Sequence, residues 1–456
     1  MKFKIVIPDN VTFILDRLHS AGYEAFIVGG CVRDSMLGKI PNDWDITTSA
    51  KPDAILEVFK DRQIIETGLQ HGTVTVMVNG IGYEVTTYRI DGNYSDNRRP
   101  DSVQFTTSLI EDLKRRDFTI NAMAYNEEVG LVDPFGGEDD LGERIIRCVG
   151  SAEERFKEDA LRIMRAFRFS AQLGFNINDN TLAAALKLKE NLLNISQERI
   201  TAELCKGLQG LYPQIMMSKE VLCQIIPEFK DTIDFDQRNK YHVHDVWEHT
   251  TVALYHEMSG ELIIRLAALF HDIGKPHSYQ EEENGTRHFK GHGKVSAEMT
   301  DKIMRRMRFS NYIRESVVEL VFYHDATIEE GEKYVKRWLG KIGETQFRRL
   351  LELKKADINA HNPQYSPINM GKVKRVENIL KKVLSEQQCF TLKDLAVNGD
   401  DLITVGYKQG KEIGNTLKQL LEAVIEGAIA NEKEVLLEAA KHIYIVENVL
   451  PKYIGV

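Results

Sequence analysis

Cysteine is scarce and scattered: five residues in 456, Cys31, Cys148, Cys205, Cys223 and Cys389, with no Cys-x-x-Cys pair. An odd number of isolated thiols excludes a disulfide framework and a four-cysteine zinc site, and fits a reducing, cytoplasmic setting. No apolar run approaches the roughly 20 residues of a membrane span, so no membrane partner is expected. Residues 1–8 hold no apolar stretch of signal-peptide length. Internal repeats and low-complexity segments are also lacking. There is no basic excess either, the formal net charge being −9. Net charge speaks to solubility rather than to a local groove. Basic clusters at Lys114-Arg115-Arg116, at Arg305, Arg306 and Arg308, and at Lys372, Lys374, Arg375, Lys381 and Lys382 leave room for an RNA track.

Apolar residues make up 43% and charged residues 28% of the chain, an ordinary globular composition. Its length calls for two to four domains. Residues 1–150 read as mixed α/β. A helix is predicted over 10–21, a buried strand over 24–28, and two alternating strands over 73–78 and 83–88 joined by a turn containing Asn79-Gly80. Residues 91–103, rich in Gly, Asn, Ser and Pro, read as a mobile loop. From 151 the pattern turns helical, with helices expected over 156–173, 181–193 and 200–208. The divisions expected are a head over 1–150, a helical neck over 151–240, a histidine-rich helical domain over 241–361, and a helical tail over 362–456.

The head carries one constellation suited to chemistry. A strand delivers the chain to Gly29-Gly30, followed by Arg33-Asp34 and, nine residues on, Asp43-Trp44-Asp45. Two glycines let the backbone approach a triphosphate closely, and Arg33 can contact the same phosphates. Side chains alternate in an extended segment, so Asp43 and Asp45 point the same way and can hold two Mg²⁺ ions for in-line displacement at phosphorus. Glu84, on a neighbouring strand, is a third candidate carboxylate.

The order of motifs over the first 210 residues resembles the class II tRNA nucleotidyltransferases and the related bacterial poly(A) polymerases. The strings that carry it are Gly29 to Asp45, then 71–76, Arg115-Arg116-Asp117-Phe118 through 124, Val132-Asp133-Pro134 with Asp140 and Arg147, Glu158-Asp159 with Arg162, Arg165 and Arg168, and Glu198-Arg199-Ile200 with Glu203. The resemblance implies an α+β fold: a polymerase-β-type nucleotidyltransferase head, then an all-helical neck, HD domain and tail. It implies that Gly30, Arg33, Arg116, Asp159, Arg162, Arg165 and Arg168 contact the incoming nucleotide, that Asp43 and Asp45 carry Mg²⁺, and that the partners are tRNA, CTP and ATP. The activity implied is template-independent addition of C, C and A to the tRNA 3′ end.

Base choice without a template has a chemical basis in that fourth motif. Asp159 and Arg162, three apart on a predicted helix, share a face. Asp accepts hydrogen bonds and Arg donates them. Cytosine and adenine each present an amino donor beside a ring-nitrogen acceptor, whereas uracil and guanine present the reverse, so the pair accepts the first two. An ordinary intrahelical ion pair between them would contribute only about 0.3–0.5 kcal/mol.

A second constellation lies downstream. Nine of the 13 histidines fall between positions 242 and 324. His242, His244 and His249 precede a wholly apolar stretch that ends in His271-Asp272-Ile273-Gly274-Lys275, and His292, His324-Asp325 and Asp357 follow. Imidazole plus carboxylate is a ligand set for Ni²⁺, Mn²⁺, Fe²⁺ or Zn²⁺. The string resembles the HD phosphohydrolase superfamily, which implies His249, His271, Asp272 and Asp357 as ligands, with Asp325 the rival for the last place. His292 and His324 would serve a second metal or a substrate phosphate. A hydrolytic activity on RNA ends follows from that resemblance.

The tail, with Gly406, Gly410 and Gly414 leading into an amphipathic helix, resembles that of Gram-positive-type CCA-adding enzymes. The alternatives are an A-adding enzyme or poly(A) polymerase of the same family, or a protein that acts mainly as an HD phosphohydrolase. Residues 93–101 resemble the loop with which full CCA-adding enzymes switch from C to A. The sequence leaves the oligomeric state open.

Overall fold

The computed structural model describes residues 4–66, 68, 69, 72–92 and 102–446. The proposed switching loop, residues 93–101, and His71 lie outside them. The chain forms two compact units, one of residues 1–230 with 305–309 and one of 231–304 with 310–456.

Between residues 25 and 132 the first unit's described residues form nine short strands: Ala25–Val28 (β1), Ile46–Thr48 (β2), Ile64–Ile65 (β3), Thr73–Val78 (β4), Ile81–Thr87 (β5), Arg89–Asp91 (β6), Val103–Phe105 (β7), Ala124–Asn126 (β8) and Gly130–Val132 (β9). Seven of them make one sheet in the order β3-β4-β5-β2-β1-β8-β9, and β6 pairs with β7 alone. Strand β2 sits at the centre, antiparallel to β1 and parallel to β5. The β4–β5 turn has positive φ at both Asn79 (52°) and Gly80 (80°), the conformation that a two-residue hairpin with the native twist demands. Strand period sorts the side chains. Val74, Val76 and Val78 of β4, with Tyr83 and Val85 of β5, are buried, while Glu84 between the latter two is exposed.

Beyond the sheet the unit is helical, with two departures from the sequence expectation. The helix expected over 156–173 is two helices, Ala152–Glu158 and Leu161–Leu173, because Asp159 takes an extended conformation (φ −136°, ψ 103°). The neck is not wholly helical either: Asn176–Ile177 pairs in parallel with Ile145–Ile146.

In the second unit, Val246–His256, Leu262–Phe270, Asn311–Tyr323 and Glu332–Ala360 pack together. Leu262–Phe270 is buried along its whole length apart from Leu262; eight of its nine residues are apolar, and the ninth, Arg265, is buried in an ion pair with Glu257 at 2.8 Å. A two-stranded hairpin, Gln280–Glu281 with Arg287–His288, interrupts a region expected to be helical. Glu332–Ala360 is kinked at Gly343 (φ 77°). The tail helices Lys411–Ile425 and Lys433–Tyr444 enclose a small core with Leu402, Tyr407, Leu420 and Leu436. Gly414 lies within the first of them rather than opening it, since the helix already starts at Lys411.

Candidate functional site

In the first unit, the register of β2 and β5 pairs Ile46 with Val85 and so brings Asp45 beside Glu84. Both line a cavity of about 210 Å³ with Thr73, Thr86, Arg89, Arg115 and Arg116. Asp43 is exposed nearby. Partial desolvation raises the Asp45 carboxyl above its ordinary range; Arg116 counters this and Asp43 adds to it. Glu84 is raised by desolvation and then by Asp45 and Asp43. Two raised carboxylates with a third beside them are a set that a divalent cation would relieve. The residues therefore fit a metal.

Gly29 shapes the same place. Its φ is 80°, and a Cβ there would sit 3.0 Å from the Arg116 guanidinium. Gly30 opens the helix Gly30–Met36 with ordinary φ and with space for a Cβ, so only the first glycine is demanded by the backbone. Arg116 is held from the other side by Asp112, fully buried, which also accepts from Arg115 at 2.7 Å and from Thr47 at 3.2 Å. Burial raises the Asp112 carboxyl, but the two arginines outweigh it and hold it below the usual range.

The remaining arginines form a separate cluster. Arg33, Arg165 and Arg168 lie 5.1, 5.2 and 4.0 Å from the Phe169 ring centroid. Each has a fixed anion: Asp34 for Arg33, Asp117 for Arg165 at 2.6 Å, and Glu203 for Arg168 at 2.6 Å. Arg33 also donates to Asn121 at 2.7 Å, and Asn121 donates to Asp117 at 3.1 Å. Burial pushes Asp117 up, yet Arg165 and Asn121 bring it down to about 2. Burial lowers Arg168 to about 10.

Asp159 and Arg162 meet through the backbone, the Arg162 N–H donating to the Asp159 carbonyl at 3.0 Å, and their side chains take further partners. Arg199 donates to Asp159 at 2.8 Å, and Arg162 donates to Glu158 at 2.5 Å and to the Arg115 carbonyl at 2.9 Å. The break at Asp159 lets its carboxylate accept from the N–H of Leu161, the first residue of the next helix, at 3.0 Å. Glu158, Arg199, Asp112 and Asn121 were given no role from sequence. Asp112 and Glu158 left a signal there, Asp112 three and four residues before Arg115 and Arg116 and Glu158 four before Arg162.

In the second unit, His249, His271, Asp272, His292, His324 and Asp357 meet at the base of a cavity of about 870 Å³. The Nε2 of His249 lies 3.2 Å from that of His271 and 2.9 Å from Asp357 Oδ1. Asp272 sits between two groups. Its Oδ2 is 3.2 Å from His271 Nε2, and its Oδ1 is 3.2 and 3.4 Å from the Nε2 atoms of His292 and His324. All four imidazoles turn Nδ1 to a backbone carbonyl, those of Ala360, Ala268, Phe289 and Val321, at 2.7–3.2 Å. That contact orients each ring and turns its Nε2 inward, the arrangement of metal-ligating histidine. Asp272 Oδ2 also forms an ion pair with Lys275 Nζ at 2.6 Å. The set fits one or two transition-metal ions.

Burial lowers the imidazolium of His249 to about 4; His271 is raised to about 10 by Asp272 and Asp357 in spite of its burial. Asp325 is 64% exposed on its side chain and lies 3.7 Å from His292 Nδ1, outside the inward-facing atoms. His244 pairs with Glu248 instead. Two more histidines join the edge of the cluster: His361, 3.3 Å from Asp357, and His242. His361, four residues after Asp357, was passed over in the sequence.

The chain matches the poly(A) polymerase head domain over residues 25–147, the RNA- and SrmB-binding site of polymerase A over 174–232, and tRNA nucleotidyltransferase domain 2 over 280–440. It is 35% identical over 429 residues to a CCA-adding enzyme of Levilactobacillus brevis, covering 93% of this chain and 96% of that one. It is also 35% identical over 441 residues to a CCA-adding enzyme of Ligilactobacillus salivarius, covering 96% of each. Among solved structures it resembles the Bacillus stearothermophilus CCA-adding enzyme in complex with CTP, with a TM-score of 0.70 and 29% identity over 97% of this chain and 99% of that one.

Proposed function

The chain belongs to the family of CCA-adding enzymes, and on that premise we propose that it completes tRNA 3′ ends by adding C, C and A from CTP and ATP without a template. The observation that carries the reading is the Asp45–Glu84 pair in one cavity with Arg116, beside Asp43. In each step the tRNA terminal hydroxyl oxygen bonds to the α-phosphorus, the bond to the bridging oxygen breaks, and pyrophosphate leaves. The family depends on divalent metal. Mg²⁺ held by Asp43, Asp45 and Glu84 would supply charge neutralisation and activation of the hydroxyl. Arg116, braced by Asp112, meets the triphosphate, and Gly29 leaves it the space to do so. Asp159 accepts from the base amino group and Arg162 donates to the adjacent acceptor, each held in place by a neighbour, Arg199 and Glu158. Arg33, Arg165 and Arg168 supply further positive charge around Phe169.

The test is to offer tRNA transcripts ending before, within and one residue short of CCA, with each labelled nucleotide in turn. C, C and A should enter in order. Entry of A alone would establish the A-adding alternative. All five cysteines are free, which supports a reducing, cytoplasmic setting; among the described residues, no helix is long and apolar enough to cross a membrane.

The second unit supports a second activity of the HD type. His249, His271, Asp272 and Asp357 would hold one transition metal, and His292 and His324, sharing Asp272, another. Such ions supply Lewis acidity for phosphoester hydrolysis. The reaction proposed clears a blocked RNA end: water oxygen bonds to phosphorus, the bond from phosphorus to the ribose oxygen breaks, and phosphate and a free hydroxyl result. That hydroxyl is the nucleophile that the head requires. Phosphate release from 3′-phosphorylated RNA with added Ni²⁺, Mn²⁺ or Zn²⁺ tests it.

A further inference from the structure

The cavity above the histidine cluster has a feature that bare phosphate chemistry does not call for. Tyr241, adjacent in sequence to His242 of the cluster, lines it with a side chain that remains 46% exposed. The backbone around the ring is clamped. The Tyr241 N–H donates to Asn239 Oδ1 at 3.0 Å, its carbonyl accepts from the Asn362 N–H at 2.8 Å, and the Lys240 carbonyl accepts from the Asn362 side chain at 3.0 Å. Tyr365 meets the Tyr241 ring edge-on at 5.2 Å, and Lys240 Nζ stands 5.1 Å from its centroid. Lys240 and Lys290, both exposed, line the same cavity.

A phosphate needs only cations. An exposed aromatic ring on a clamped backbone, with one lysine beside it and another lining the same cavity, is the composition of a surface on which a nucleobase stacks while its backbone meets positive charge. At about 870 Å³ the cavity exceeds what a phosphate alone requires. We propose that this cavity receives the terminal nucleotide of an RNA strand, its phosphate at the histidine–aspartate cluster, its base on Tyr241, and the preceding phosphate on Lys240 and Lys290. The assignment rests on the phosphohydrolase reading of the cluster and names the substrate part that the cluster does not define. Tyr241 is thus a binding residue for the base, and the substrate is an RNA end rather than a small phosphate ester.

The experiment compares two RNA oligonucleotides with the full-length, Mn²⁺-loaded protein. One ends in adenosine 3′-phosphate and the other in an abasic ribose 3′-phosphate. Calorimetric binding of adenosine 3′-monophosphate, with the head saturated by CTP, gives a readout independent of turnover. Tyr241→Ala should reduce the kcat/KM preference for the adenosine end roughly tenfold and weaken the nucleotide's affinity by a similar factor, and Tyr241→Phe should restore both. An equal loss on both oligonucleotides would make Tyr241 a structural residue and overturn the assignment. So would an unchanged preference or unchanged nucleotide affinity. If the wild type binds no metal and hydrolyses neither oligonucleotide, the phosphohydrolase reading itself falls, and the base platform with it.

Discussion

The Nε2 atoms of His292 and His324 face each other at 2.9 Å, while each ring's Nδ1 bonds a backbone carbonyl three residues earlier in the chain. Neither Nε2 then carries a proton to share, so two lone pairs point at one space, with Asp272 Oδ1 3.2 and 3.4 Å away. Burial lowers the His324 imidazolium, so a proton on His324 does not resolve the opposition. A cation does. Protein purified without chelator or histidine tag should contain one or two transition-metal ions per chain by mass spectrometry, and His324→Ala should lose about one, since ligand loss in a closed site weakens binding by orders of magnitude. A wild-type metal content near zero after reconstitution would contradict it.

At the head, Asp45→Ala should reduce nucleotide addition by several orders of magnitude with tRNA affinity nearly intact, because the variant removes a cation ligand and not an RNA contact. Asp43→Ala should behave alike. Single-turnover incorporation of labelled CTP, beside filter binding of tRNA, separates the two effects. Near wild-type extension by the double variant would place the chemistry elsewhere.

Base selection should depend on Arg199 as well as on Asp159 and Arg162. Arg199 holds the Asp159 carboxylate at 2.8 Å from another helix. Arg199→Met should erode discrimination against UTP and GTP by about 1–3 kcal/mol, the worth of one well-placed bidentate contact. Misincorporation assays with all four nucleotides read this directly. An unchanged preference for C and A would show that Asp159 needs no such support.

Gly29→Ala carries two burdens, positive φ and a Cβ 3.0 Å from Arg116. We expect about 1–2 kcal/mol of lost stability from the backbone conformation. Displacement of Arg116 should also raise the KM for both CTP and ATP. Gly30→Ala, with ordinary φ and no clash, should be milder on both counts in denaturant titrations and steady-state kinetics.

Asp117 provides a pH signature. Its folded pKa of about 2 lies below the ordinary aspartate value of 3.8. A depressed carboxylate contributes stability that is present above its unfolded pKa and is lost as pH falls through the folded one. The contribution is about 2 kcal/mol at neutral pH, fading from about pH 4 toward pH 2. Asp117→Asn should therefore cost stability at pH 6 but flatten the acid limb of the urea-unfolding profile. A variant with the wild-type acid limb would rule out this pair as a source of acid sensitivity.

Local pattern alone determined much of this protein. Period two made Val74, Val76 and Val78 inward-facing, Asn79-Gly80 closed the hairpin because both positions need positive φ, and the unbroken apolar run before His271 buried that residue. Those are properties of neighbours in the chain, and neighbours are what a sequence displays. Tertiary structure decided the rest. It set Glu84 beside Asp45 through strand register across nearly 40 residues, and it broke the helix at Asp159 so that Asp159 met Arg199 and Arg162 met Glu158. It also brought His361 and Tyr241 to the histidine cavity and turned the His249 Nδ1 to the distant Ala360 carbonyl. Hydrogen-bond partners, ring tautomers and the crowding of like charges depend on which segments fold against one another, and no local period encodes that choice.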